Sequence, residues 1–291
     1  MSGSHWDRYR EHWARLGPPL RPPPVVVRAY RRLLRGAMDR GAPERPEQAL
    51  PSRELASRSE QASRAPRSAA LVRPTLLYGV TPELAALRES LIALDGSAGM
   101  IEGVWQGDTE ARSARHGDWL SPPFVPMTFG AALGDGALNV VPGSAARRVL
   151  LTQLERLLVP GGRAVFRVFV RPVAPETLAA VLETAAENQS FHAFKWRVAM
   201  ALASEALGEV AVSRLYEVLR RAEVQGHLRC FDPEAVTTLA AYRGSSDVYG
   251  FPTESELAAE LPRGLTARWL RVRGYELAER CPLWVICKAG A

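Results

Sequence analysis

The chain has 291 residues, 47% hydrophobic and 23% charged, which suits a globular protein able to bury a large core. No apolar run reaches the roughly 18–20 residues that span a bilayer, and the opening MSGSHWDRYREHW holds no apolar stretch of the secretory type; no membrane partner and a cytoplasmic location are expected. The net charge of +6 lies entirely in residues 1–40, where nine arginines face three acids, while Cys230, Cys281 and Cys287 are too few and too scattered for a disulfide framework or a metal centre, so three reduced, mostly buried thiols and no metal are expected.

A basic arm can meet nucleic acid, an anionic substrate or the protein's own acids. Only Lys195 and Lys288 are lysines; this arginine bias often reflects a GC-rich coding sequence, which weighs against nucleic acid as a partner. Residues 5–16 read as a helix, because Trp6, Tyr9 and Trp13 recur along one face. The proline-rich run 17–24 stops it, and a second helix is expected over 25–38. From 39 to 74 proline, serine, arginine and glutamate dominate, and no aromatic residue occurs between Tyr30 and Tyr78. Such a stretch reads as a linker, with at most a weak helical signal around 52–64.

Strands and helices then alternate. Strands are expected at 75–79, Leu91–Asp95, 115–120, Phe129–Asp135 and 163–170. The helices between them are expected from Thr81 to about 88, over 97–104, and over 144–158, the last stopped by Pro160-Gly161-Gly162. This alternation predicts parallel βαβ units. After Pro172 the pattern turns helical, at about 175–189, 191–207, 211–223 and 232–241. Two strands, 265–272 and Leu283–Lys288, close the chain. The expected organisation is an arm or lid (1–38), a linker (39–74), an α/β core (75–172), a helical cap (173–264) and C-terminal strands completing the sheet (265–291).

Ligands of open parallel sheets sit outside the carboxyl ends of the strands. Three such ends carry suitable groups here. Gly79-Val80-Thr81, followed by Pro82 and Glu83, joins a strand to a helix; glycine there lets a ligand approach the backbone, although an ordinary turn reads the same way. Asp95 closes the next strand, with Gly96, Ser97 and Met100 after it. An acid in that place accepts ribose hydroxyls, or simply caps a helix. Gly117-Asp118-Trp119 offers a carboxylate for an adenine amino group and an indole for stacking. Asp135, with Gly136 and Asn139 beyond it, could hold an ammonium group or act as a base. Turn chemistry accounts for each of these residues equally well.

In order, LLYGVTPEL (76–84), LIALDGSAGMI (91–101), GDW (117–119), GDGALN (134–139) and LERLLVPGGRAVFRVFV (154–170) resemble class I S-adenosylmethionine (SAM) dependent methyltransferases, in a variant whose first loop reads GVTPE. The resemblance covers roughly 75–172. It implies a Rossmann-like, doubly wound, mostly parallel seven-stranded sheet, SAM as cofactor and S-adenosylhomocysteine (SAH) as product. It also implies that Asp95 holds the ribose while Asp118 and Trp119 flank the adenine. One departure matters: the usual first loop is glycine-rich, and here Gly79 stands alone, so the methionine half of SAM must be held differently.

No motif names the acceptor. Methyl transfer depends mainly on holding a nucleophile in line with the methyl group, and a base is needed only if the acceptor must lose a proton. Asp135 and His192 are the candidate catalytic groups. Candidate acceptor contacts are Trp6, Tyr9, Trp13, Arg21, Lys195, Trp196, Tyr242 and Tyr249. The run Phe191-His192-Ala193-Phe194-Lys195-Trp196-Arg197 is dense in aromatic and basic groups, an arrangement that equally suits a helix packing its rings into a core. The favoured expectation is a methyltransferase of specialised metabolism with a small-molecule acceptor. A non-catalytic SAM-fold partner and an RNA methyltransferase are the alternatives.

Overall fold

A computed structural model describes residues 4–35 and 73–290, apart from 186 and 188. The linker expected over 39–74, with its weak helix at 52–64, lies outside the described residues except for its last two positions. The helical elements are α1 (Trp6–Tyr9), continued by a 3-10 turn (Arg10–Arg15), α2 (Pro24–Arg35), α3 (Pro82–Ala85), α4 (Ala98–Val104), α5 (Gly143–Leu157), α6 (Leu178–Glu183), α7 (Phe191–Glu205), α8 (Val212–Val224), α9 (Pro233–Thr237), continued by a 3-10 turn (Thr238–Tyr242), and α10 (Glu254–Glu260). The strands are β1 (Thr75–Tyr78), β2 (Leu91–Asp95), β3 (Arg112–His116), β4 (Phe129–Asp135), β5 (Leu158–Arg167), β6 (Glu209–Ala211), β7 (Val248–Gly250), β8 (Leu265–Leu270) and β9 (Leu283–Lys288).

Seven strands form one sheet in the order β3-β2-β1-β4-β5-β9-β8. The first five run parallel and β9 joins β5 antiparallel. The reversal of strand order lies between β1 and β4, which pair directly, and the ends of β1, β2 and β4 therefore open into one crevice. The central strands read as continuous apolar runs because both faces are covered. Along β1, Leu77 packs with Val26, Tyr30 and Leu33 of α2 and with Leu84 of α3. Its neighbours Leu76 and Tyr78 point the other way, into a cluster with Leu150, Leu151 and Leu154 of α5 and Leu257 of α10. A third cluster fills the cap, centred on α7, and reaches Tyr9 and Leu16 of the arm.

Several boundaries differ from the expectation, each for a local reason. The third strand is Arg112–His116, not 115–120. Gly117 still donates its N–H to Asp95 O, but Asp118 then turns the chain by accepting the N–H of Leu120 (2.8 Å). The fifth strand starts at Leu158 rather than 163, and Pro160-Gly161-Gly162 lies inside it across an irregular register with β4. The helix expected over 175–189 covers only Leu178–Glu183, and the last strand pair begins with Leu265–Leu270 rather than 265–272.

The segment 173–264 is not all helical. β6 and β7 form a two-stranded sheet of their own, and α10 packs on the core rather than in the cap, where Glu260 makes a buried two-point ion pair with Arg147 of α5 (2.7 and 2.9 Å). Of the cysteines, Cys281 is buried, Cys287 half-buried and Cys230 exposed. Among the described residues no helix is long and apolar enough to cross a membrane.

Candidate functional site

A cavity of about 600 Å³ opens at the ends of β1, β2 and β4, well inside the range of roughly 300–1,000 Å³ spanned by small-molecule sites. Its floor is the sheet side. Gly79 leaves β1 with φ +95°, a conformation costly for any side chain, and a Cβ there would lie 3.8 Å from Asp95 Oδ2. The single glycine therefore keeps the turn open without a glycine-rich run. Asp95 accepts the N–H of Ser97 on Oδ1 (2.8 Å). Among the described residues no hydrogen bond falls on its Oδ2. Burial pushes this carboxyl up to about 6, only partly offset by the Ser97 N–H.

Trp119 is pinned at the wall by donating its indole N–H to Leu94 O (2.6 Å) and by an edge-on contact with Tyr78. Asp118 is exposed and spends Oδ1 on Leu120 N. Val80, Thr81, Gly96, Met100, Gly117 and Gly136 also line the cavity.

The roof comes from the arm and the cap. Trp6, Tyr9 and Trp13 line the cavity together with Trp196 of α7 and Tyr249 of β7. The rings touch in series. Trp6 meets Tyr9 and Tyr249 edge-on, Tyr249 meets Trp196 at 5.0 Å, and Trp196 meets Phe169 at 5.5 Å. The arm is tied to the sheet side by Asp7, which accepts the Ser97 hydroxyl (2.6 Å). It lies so close to α4 that a Cβ on Gly99 would be 2.8 Å from Asp7 Oδ1.

Six expected site residues have other roles. Asp135 lines the cavity but forms a buried two-point ion pair with Arg167 (2.5 and 2.9 Å). Burial raises its carboxyl and the guanidinium opposes that rise, so the group is committed rather than a free base or ammonium ligand. His192 is not on the cavity wall; its Nε2 is 2.9 Å from Arg15 O, and burial with Lys195 nearby lowers it to about 4. Asn139 reaches the cavity, yet its amide clamps Phe169 and Gly250 through three hydrogen bonds. Arg21 pairs with Glu83 (2.5 Å). Lys195 and Tyr242 lie inside the cap, off the cavity wall. Phe191 and Phe194 are core residues, and Arg197 pairs with Glu176.

Sequence reasoning missed a polar chain behind the roof. His5 is fully buried, with Nδ1 2.6 Å from Asp247 Oδ2 and Nε2 2.6 Å from the Tyr249 hydroxyl. From Tyr249 the chain runs to Tyr242 (3.2 Å), Tyr9 (3.4 Å) and Lys195 Nζ (3.2 Å). Burial lowers His5, and it lowers Lys195 to about 7. Burial alone would raise Asp247, but the hydrogen bonds from His5 and Ser4 reverse this and hold it well below the usual carboxylate range. A weak signal was present: His5 and Asp7 flank Trp6, and Asp247 sits in the Gly/Ser-rich loop before Tyr249.

No protein-family model matches the chain, and no curated protein sequence matches it. Solved structures do resemble it. The CcbJ methyltransferase of Streptomyces caelestis superposes with a TM-score of 0.54 at 12% identity, over 99% of this chain and 98% of that one. A candidate Zn-dependent alcohol dehydrogenase of Rhodobacter sphaeroides gives 0.50 at 15% identity, over 76% and 87%. The N-methyltransferase NodS of Bradyrhizobium japonicum WM9, solved with SAH, gives 0.49 at 13%, over 98% and 99%. At 12 and 15% identity the first two likenesses are of fold alone, and that fold is the Rossmann-like, mostly parallel seven-stranded sheet.

Proposed function

We propose that the chain is a SAM-dependent methyltransferase acting on a small-molecule acceptor held between the arm, the cap and the strand ends. One observation carries this reading: a single cavity joins Gly79, Asp95 and Gly117-Asp118-Trp119 on the sheet side to a continuous aromatic roof from Trp6 to Phe169. A ribose fits the sheet side because Asp95 is half-buried on the cavity wall with no hydrogen bond on Oδ2 among the described residues, and two hydroxyl donors would favour its charged form. Asp95 would hold the ribose, Asp118 and Trp119 the base, and the open turn at Gly79 the methionine part. When bound, SAM supplies an electrophilic methyl group.

The protein's own part is to orient the acceptor and to exclude water. Asp7, by holding Ser97, closes the arm over the site. Neither Asp135 nor His192 serves as the base in this reading, since each is tied to a structural partner. Against the RNA alternative, Arg10, Arg15 and Arg21 of the arm pair with Glu102, Glu234 and Glu83, although Arg28, Arg31, Arg32 and Arg35 of α2 are exposed.

Titration calorimetry of the full chain with SAM and SAH tests the proposal. Binding of both in the micromolar range is expected, with a heat that disappears in Gly79→Val. A chain that binds neither at millimolar concentration is not a methyltransferase.

A further inference from the structure

Charge on the cavity wall is one-sided. Among the described residues five aspartates line it, at positions 7, 95, 118, 135 and 247, and no lysine or arginine does. Asp135 is neutralised by Arg167, and Asp95 and Asp118 belong to the nucleotide side in the reading above. Asp247 is different. It comes from the cap, and four hydrogen bonds, from the Ser4 hydroxyl, the His5 N–H and ring, and the Ser245 hydroxyl, all fall on Oδ2. Among the described residues none falls on Oδ1, while the side chain keeps 27% exposure on the cavity wall.

The groups packed around Asp247 do not cancel its charge. Burial lowers His5, which works against a charge there that would cancel that of Asp247. Arg8 also acts on His5, and its guanidinium donates to Ala241 O and Arg243 O. Lys195 stands at the far end of the tyrosine chain, facing three rings. The same cavity is lined by Trp6, Tyr9, Trp196 and Tyr249, and the rings of Trp6 and Tyr249 pack on His5, the residue bonded to Asp247. A carboxylate next to aromatic rings is the arrangement that selects an organic cation, through Coulomb attraction and cation–π contact together.

We infer that the acceptor is an amine that arrives as its ammonium form, anchored by Asp247 Oδ1 against the Trp6–Tyr249–Trp196 wall. This rests on the methyltransferase reading and adds the acceptor class to it. The chemistry balances: the ammonium gives up one proton to water to free its lone pair, the N–CH3 bond forms as the S–CH3 bond breaks, and the sulfonium electron pair returns to sulfur. The product is a methylated ammonium plus neutral SAH. The same anionic wall stabilises a cation before and after transfer.

The test uses the full chain saturated with SAH at pH 7.5 and three probes of one shape: 2-phenylethylamine, 2-phenylethanol and 3-phenylpropionate. The amine should bind about tenfold tighter than the alcohol, and the carboxylate weakest of all. Asp247→Asn should bring the amine to within about twofold of the alcohol while leaving SAH affinity near that of the parent, with a lowered unfolding midpoint because Ser4, His5 and Ser245 lose a charged acceptor. Trp6→Leu, which removes a ring of the wall but none of the hydrogen bonds that fall on Asp247, should weaken the amine more than the alcohol. An amine that binds no better than the alcohol overturns the inference, as does a preference that survives Asp247→Asn; loss of SAH binding in Asp247→Asn would assign Asp247 to the cofactor instead. Failure of the parent chain to bind SAH would remove the methyltransferase reading itself, a separate result.

Discussion

The two sides of the cavity are built by different means. On the sheet side the functional groups sit within three residues of the strand that positions them: Gly79 after β1, Asp95 at the end of β2, Asp118 and Trp119 after β3, Asp135 at the end of β4. On the roof side the groups that meet come from opposite ends of the chain. His5 reaches Asp247 across 242 positions, and Lys195 reaches Tyr9 across 186. The sheet side is fixed by strand register, which one hydrophobic pattern determines. The roof is fixed only when arm and cap close on each other, so its geometry depends on a handful of buried polar contacts.

Arg167 offers the severest way to break that division, because it belongs to both sides. Its guanidinium holds Asp135 at the end of β4 and also donates to Leu20 O in the arm. Arg167→Met leaves Asp135 buried without a partner, which costs about 3–5 kcal/mol. Urea unfolding should show that loss, with SAH binding falling alongside it. A double variant, Arg167→Met with Asp135→Leu, should recover most of the stability, because an apolar pair of similar volume replaces a desolvated ion pair at little cost. If the single variant loses less than 1 kcal/mol, the pair does not organise the site.

Lys195 sharpens the comparison from the roof side. Burial lowers its ammonium to about 7, from an unfolded value near 10.4. The unfolded chain then binds more protons than the folded one between these values, and folding stability should rise with pH across that window. At neutral pH the strain is largely present, partly relieved by cation–π contact with Tyr242, Tyr9 and Phe191. Lys195→Met should therefore stabilise the protein by about 2 kcal/mol at pH 6 and flatten the slope between pH 7 and 10. A destabilised variant with the slope intact would show that the ammonium is a structural contact rather than a tolerated charge.

How much could be read in advance follows the same division. β2, β4 and β9 match their expected limits because buried parallel or central strands are unbroken apolar runs ended by a charge or turn. β3 was misplaced because an edge strand reading Arg-Ser-Ala-Arg-His carries no apolar signal. β6 and β7 are three residues each, below the length at which a pattern exists. α10 was missed although its signal was present, since Thr253 and Glu256 form a capping box. For the site, the place of Asp95 and Trp119 on the cavity wall was legible because they are local to their strands. The roles of Asp135, His192 and Lys195 could not, because the partners that commit them, Arg167, Arg15 O and Tyr9 Oη, are contacts made only by the closed fold.

Asp95 tests the sheet side, with the smallest effect on stability. Its carboxyl is raised to about 6 in the folded chain, against about 3.9 when unfolded. Between these values the folded state binds more protons, so the charged carboxylate costs stability, and the cost grows as pH rises from about 4 and is complete above about 6. Asp95→Asn removes a buried charge and keeps the Oδ1 contact with Ser97 N, so the unliganded variant should gain about 1–2 kcal/mol at pH 7.5 and nothing at pH 4. The same substitution should weaken SAH about 100-fold, since an amide cannot accept two hydroxyl donors as a carboxylate does. In the parent chain SAH affinity should fall as pH drops below about 6, where Asp95 takes up its proton, and in the variant that dependence should be gone. A site that keeps a raised, unsatisfied carboxylate at a cost to the empty fold is one whose ligand repays that cost on binding. If Asp95→Asn leaves both SAH affinity and its pH dependence unchanged, the ribose contact belongs to another residue and the sheet side is only a scaffold.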